Sequence, residues 1–223
     1  MSGVTVSGSL LAIDTATSRV VVARGAADGT LADAATWEAG YRHGEALLPS
    51  IERLLAPVGG RAAIGAIVVG TGPGAFTGLR VGIATAKGLA HGLSCAIVGV
   101  STGAALLAAL PGADALLLPA GPSDRVLVRP GERSRLLPGG TEPELAAAET
   151  LLAVDLEGRA SEDALERGRA ARDGLAASLL RLGAARLVET GGDELQTLVP
   201  DYVTLPRGVT ATTGEVAWSH DPR

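Results

Sequence analysis

Apolar residues in this chain fall in short unbroken runs and helical stripes, separated by glycine-rich turns. Ser9–Asp14 (SLLAID) is apolar up to a terminal carboxylate, the pattern of a strand buried on both faces. Thr15–Ser18 is turn-forming. Arg19–Arg24 and Leu31–Glu38 follow as strands joined through Asp28-Gly29, which predicts an antiparallel meander. Over Gly44–Leu55, Leu47, Leu48, Ile51, Leu54 and Leu55 form one apolar stripe on a helix that Pro57, Gly59 and Gly60 end. A strand at Ala66–Val69, a loop at Gly70–Gly78 and a helix at Leu79–His91 come next. A strand at Cys95–Val100 and a helix at Thr102–Leu110 complete the first half.

Three antiparallel strands leading into alternating helices and strands is the order of a ribonuclease-H-like α/β unit. Pro111–Asp114 is its natural boundary, so residues 1–111 form a first lobe, 112–199 a smaller second lobe, and 200–223 a tail returning to the first. The second lobe reads as strands at Ala115–Leu118, Arg125–Val128 and Arg133–Leu136. Helices at Glu142–Glu149 and Glu162–Leu182 and a strand at Arg186–Glu189 follow.

Composition narrows the chemistry. A hydrophobic fraction of 47% over 223 residues is that of a folded chain, and the single cysteine excludes a disulfide framework or a cysteine-rich zinc module. Aromatics make up 2%, too few for base stacking as a main activity. The net charge of −5 sits in the second half: residues 1–110 hold six acids and seven bases, residues 111–223 eighteen and twelve. No global field attracts a polyanion. Met1–Ser9 lacks a basic leader, and polar residues interrupt the uncharged stretch Gly88–Ala113, so a cytoplasmic protein without a membrane segment is expected.

Gly70-Thr71-Gly72-Pro73-Gly74-Ala75-Phe76-Thr77-Gly78-Leu79-Arg80 is the sharpest local feature. Backbone N–H groups of such a loop can cradle an anion at a helix start, and Asp14, Thr15, Gly72, Gly74 and Arg80 would form that site. The other reading is a tight turn that seats the helix close to its sheet, and the residue chemistry favours it, since neither a Walker A nor a dinucleotide pattern follows. Gly78, Gly82, Ala86 and Ala90 recur at helical spacing, with Ala84 and Gly88 as a second small row, so another helix could approach closely. Arg125, Arg129, Arg133 and Arg135 are the candidate basic edge, although such residues are more often simply a solvated strand edge. His43, His91 and His220 are scattered, and no nucleophile–base motif accompanies them.

In combination these residues are specific. Leu11-Ala12-Ile13-Asp14-Thr15-Ala16-Thr17, His43-Gly44-Glu45 with Leu48-Pro49, the Gly72–Arg80 loop, Lys87-Gly88-Leu89-Ala90 and Gly99-Val100-Ser101-Thr102 resemble the TsaB (YeaZ) family over residues 9–107, and Pro200–Val203 before Arg207 resembles its closing segment. The resemblance implies an actin/hexokinase/Hsp70-like (ASKHA) α/β fold of two ribonuclease-H-like lobes, the second short and divergent. It implies a non-catalytic subunit that binds TsaD as a heterodimer, with the ATPase TsaE in the larger complex. That complex makes threonylcarbamoyladenosine beside the tRNA anticodon, with tRNA met indirectly and no cofactor held by this chain. A homodimer is the implied state when the subunit is alone. Docking would use Leu47, Leu48, Ile51, Leu54 and Leu55 with Gly82, Ile83, Ala86 and Leu89.

TsaD carries a His-x-x-x-His metal pair where this chain, aligned on the same strand and helix, has Ser101 and Ala105, so neither a catalytic nor a metal site is expected. Peptidase activity is disfavoured on the same ground. The second lobe departs from the family: Ala120–Leu127 lacks its Asp-Ala-Arg-x-x-Glu-Val-Tyr strand, and Thr190-Gly191-Gly192-Asp193 reads as a turn more readily than as an adenosine contact. The alternatives are a small-molecule phosphotransferase of the same fold, and a homodimeric paralogue with a different partner.

Overall fold

The structure is a computed structural model that describes residues 8–40 and 45–203. Two sheets organise it. The first holds β1 (Ser9–Asp14), β2 (Arg19–Gly25), β3 (Leu31–Glu38), β4 (Ile64–Gly70) and β5 (Ala96–Val100) in the order β3-β2-β1-β4-β5. β1 pairs antiparallel with β2 and parallel with β4, and β4 pairs parallel with β5. β1 and β4 are central and buried on both faces, which is why their sequences run apolar without alternation. β3 is the exposed edge.

The two faces of this sheet are covered differently. Leu11, Ile13, Val20, Val22, Ile67 and Val69 point toward α1 (Leu47–Leu55) and α2 (Phe76–Leu93). The alternate residues Leu10, Ala12, Val21, Ala23, Ala66 and Val68 point toward α3 (Thr102–Ala109) and α4 (Glu162–Thr190). Beyond α3 and α4 lies the second sheet, with β6 (Ala115–Pro119), β7 (Arg125–Val128), β8 (Arg135–Leu137) and β9 (Leu151–Ala153) in the order β8-β7-β6-β9. Leu116, Leu118, Val126 and Leu152 of that sheet join the same apolar cluster, so one core runs through both halves. The mixed α/β class expected from the sequence is observed.

Two expectations in the second half are corrected, and one strand is added. Glu142–Glu149 is not a helix; its backbone is held open by arginines, with Arg125 donating to the Thr141 carbonyl and Arg129 to the Glu144 carbonyl. The strand expected at Arg186–Glu189 is the last turn of α4, which Ser161 caps at one end and Gly191, at φ +76°, stops at the other. Gly183 does not break α4 because its missing side chain makes room for Val68 of β4. The added strand is β9, three residues just past Glu149 that pair parallel with β6. In the first half the helix expected at Gly44–Leu55 is described from Leu47, and α2 starts at Phe76, three residues earlier than expected. Among the described residues, no helix is long and apolar enough to cross a membrane.

Candidate functional site

The residues proposed as an anion loop do come together, but they close on one another. Asp14 is 0% exposed at the end of β1. One carboxylate oxygen accepts the Thr102 hydroxyl at 2.7 Å and the other the Ala16 N–H at 2.8 Å. Burial outweighs these hydrogen bonds and pushes its pKa up from 3.8 to about 6. A Cβ on Gly70 would collide with that carboxylate, and one on Gly74 or Gly78 with the carbonyls of Ala16 or Thr15. The loop's donors are taken as well: Thr71 N–H by Val100, Gly72 N–H by the Thr102 hydroxyl, Ala75 N–H by Ala16. Thr15 donates its hydroxyl to Gly78. The glycines therefore seat α2 on the β1–β2 turn, in keeping with the tight-turn reading, and of the groups expected to hold an anion the Asp14 carboxylate, the Thr15 hydroxyl and the Gly72 N–H are engaged internally. Arg80 sits apart, exposed on α2.

The residues of the expected docking stripe mostly face inward. Leu47, Ile51, Leu54, Leu55, Gly82, Ile83 and Ala86 are buried against this chain's own sheet, and Leu89 is half-buried. Only Leu48, at 49% exposure, faces outward. The apolar stripe was legible as a buried side; what it is buried against was not. The surface that α2 does present carries Phe76, Thr77, Arg80, Ala84, Gly88, His91 and Gly92, with Lys87 half-buried beside them. Around Gly88 and Gly92 a side chain would meet nothing within 4 Å. His43 and Gly44 lie outside the described residues.

One cluster on this surface escaped the sequence reading. The Arg80 guanidinium lies 3.9 Å from the centroid of the Phe76 ring and donates from Nε to the Tyr202 hydroxyl at 3.1 Å. Phe76 and Tyr202 have ring centroids 5.2 Å apart and remain 36% and 40% exposed. The available signal was the rarity of aromatics together with the Phe76–Arg80 spacing of one helical turn; Tyr202 is too distant in sequence to be joined to them by any local rule.

The arginine edge divides in two. Arg125 is buried and donates to the carbonyls of Arg159 and Thr141 and to Glu142. Arg129 pairs with Glu149. Of the four arginines, Arg133 and Arg135 are exposed, at a cleft of about 880 Å³ that Ser101, Ala104, Val128 and Tyr202 also line. Ser101 caps α3, accepting the Ala104 N–H and donating to the Gly72 carbonyl, while Ala105 is fully buried. Among the described residues, no group of three or more His, Cys, Asp or Glu could hold a metal ion. Gly191 is the stop of α4, and Asp193 accepts the Gly99 N–H and pairs with Arg186. A second tie joins the halves: Asp155 accepts both the N–H and the hydroxyl of Ser18 at 2.6 Å and pairs with Arg172 of α4 at 2.8 Å.

Comparison with known proteins gives this surface its context. The family model for TsaD, tRNA N6-adenosine threonylcarbamoyltransferase, matches residues 37–198. The tRNA threonylcarbamoyladenosine biosynthesis protein TsaB of Escherichia coli K12 is 43% identical over 95 residues, which is 42% of this chain and 40% of that protein. An uncharacterized protein of Mycobacterium leprae is 45% identical over 96 residues, 41% of this chain and 26% of its own length. The chain thus spans about a quarter to a half of the length of the curated relatives it matches. Solved structures match further: YeaZ from Pseudomonas aeruginosa shares the fold at a TM-score of 0.66 and 24% identity, over 87% of this chain and 99% of that one. A structure described as an uncharacterized protein with similarity to peptidase YEAZ from Pseudomonas aeruginosa aligns at 0.67 and 26% identity, over 88% and 100%. The TsaD model covers most of the chain, while the named relatives and the whole-length folds are those of TsaB and YeaZ, and it is to this TsaB (YeaZ) family that the chain belongs.

Proposed function

We propose that the chain is a non-catalytic subunit in the threonylcarbamoylation of tRNA, acting by docking on TsaD through the outward face of α2. The carrying observation is that α2 leaves a row of small residues, Ala84, Gly88 and Gly92, on the molecular surface, open enough for another helix to lie close. The reading of two ribonuclease-H-like lobes in an ASKHA arrangement is supported by the β3-β2-β1-β4-β5 order and by the whole-length likeness to the YeaZ fold. A non-catalytic role is supported by Ser101 and Ala105, whose side chains cap and pack α3 and supply no metal ligand pair. In this reading the subunit holds TsaD in its working arrangement, with TsaE joining the larger complex and any tRNA contact falling to Arg133 and Arg135. The phosphotransferase alternative rested on Asp14 and the glycine loop, both engaged internally.

Co-purification with the TsaD of the same organism tests the proposal. A stable complex should form at micromolar concentration, and Gly88→Arg should abolish it while leaving the melting temperature of the chain within about 2 °C. Substitutions at Gly82 or Ala86 are unsuitable, because both sit inside the chain's own packing. Absence of a complex with the wild-type chain overturns the proposal.

A further inference from the structure

The first sheet ends in two edges of different character. β3 carries the exposed acids Asp33 and Glu38, and charge on an edge strand opposes the addition of another. β5 has no such protection: its sequence, AIVGV, is apolar, uncharged and free of proline, the composition of a segment that pairs readily with strands of other chains. Its open side is met instead by one residue from beyond the end of α4. Asp193 donates its N–H to the Ile97 carbonyl at 2.7 Å and accepts the Gly99 N–H on its carboxylate at 2.8 Å. A residue of a parallel strand opposite Val98 would make the same two bonds, with its main-chain carbonyl in place of the carboxylate.

That replacement has a consequence for the edge. The main-chain carbonyl of Asp193 is not needed by β5, so the chain turns away at once, and the N–H groups of Thr197 and Leu198 both return to the Glu194 carbonyl. A true strand would satisfy β5 and then present an outer edge of its own; Asp193 satisfies β5 without building one. Its approach is prepared by Gly192, at φ +125°, a backbone angle that residues with side chains rarely adopt. Arg186, on the last turn of α4, donates to the other carboxylate oxygen at 2.8 Å and holds it in place. Leu198, 6% exposed, closes over Gly99, where a Cβ would collide with it. We propose that residues 191–198 are a strap whose Asp193 plugs the open edge of the first sheet, and that the strap keeps β5 from pairing with the same strand of another copy of this chain.

Cys95 provides a reporter, because it is the single cysteine and lines, with Ile97 and Asp193, a cavity of about 420 Å³ between β5 and the strap. The experiment uses the full chain and three readouts: hydrogen exchange, labelling of Cys95 by a soluble aromatic disulfide, and sedimentation under reducing conditions. Asp193→Ala should accelerate exchange at Gly99 about tenfold more than at the β1 amides, which open only with the sheet, and should speed Cys95 labelling by a similar factor. At about 100 µM it should sediment as a species larger than the wild-type chain does at the same concentration. Asp193→Asn, which keeps an acceptor for the Gly99 N–H, should retain the wild-type size. Equal acceleration at Gly99 and β1 overturns the plug. Faster labelling with no change in size overturns the guarding role, and so does association of Asp193→Asn as strong as that of Asp193→Ala. Should Asp193→Ala not fold, Arg186→Ala leaves both edge bonds in place and should speed Cys95 labelling about threefold; an unchanged rate there overturns the strap.

Discussion

Asp14 shows how one residue changes meaning between sequence and structure. A carboxylate at a strand tip beside a glycine loop suggests a ligand for magnesium or phosphate; buried at 0% exposure, with its oxygens held by Thr102 and Ala16, it ties β1 to α3. Its raised pKa makes a signed prediction. Below the unfolded value of 3.8 both states are protonated, and the native state carries no penalty from this group. Between 3.8 and about 6 the native state binds more protons than the unfolded one, so stability falls as pH rises and then levels off. The loss is on the order of 3 kcal/mol for this residue alone. In urea unfolding from pH 4 to pH 7, Asp14→Asn should flatten that slope, whereas an unchanged slope would assign it to other groups. The sequence placed Asp14 at its strand end correctly, but no local signal distinguishes a carboxylate facing solvent from one capped by Thr102, 88 residues later.

At the scale of elements, α2 separates two kinds of glycine that look alike in sequence. Gly78 faces the Thr15 carbonyl so closely that a methyl group has no room, and that obstacle is backbone and cannot rotate away. Gly78→Ala should cost about 2–4 kcal/mol through overpacking. Gly88 faces open space, and Gly88→Ala should stabilise by about 0.5–1 kcal/mol through helix propensity alone. Urea midpoints of the two variants check both signs. The α1 stripe was legible for a similar reason: the spacing of Leu47, Ile51, Leu54 and Leu55 requires a covering surface, and the chain's own sheet provides it before any partner can. The expected helix at Glu142–Glu149 had composition in its favour. It lost to arginines from β7 and its flank, whose guanidinium groups take the backbone carbonyls that a helix would have used.

For the whole molecule, the cluster containing Leu10, Val68, Leu106, Leu116, Leu152 and Leu179 runs across both sheets, and Asp155 clasps the β1–β2 turn through Ser18 and Arg172. Both sheets should therefore unfold in one transition. Asp155→Ala should lower the stability in that transition by about 1–2 kcal/mol, because Ser18 loses its acceptor and the largely buried Arg172 keeps only its pairing with Glu38 and its contact with Ser18. Two separate transitions in calorimetry would contradict the shared core. The sequence by itself determined the strand and helix order of the first half and the tight turn at Gly70–Gly78, because pleat, helical pitch and the steric demands of a turn are local. Only the tertiary structure decided that Arg125 and Arg129 serve the fold while Arg133 and Arg135 face outward, that Tyr202 meets Phe76 and Arg80, and that the surface of α2 is Ala84–Gly88 instead of Gly82–Ala86. These depend on which segments, distant along the chain, arrive beside one another, and periodicity states that a face is buried without saying against what.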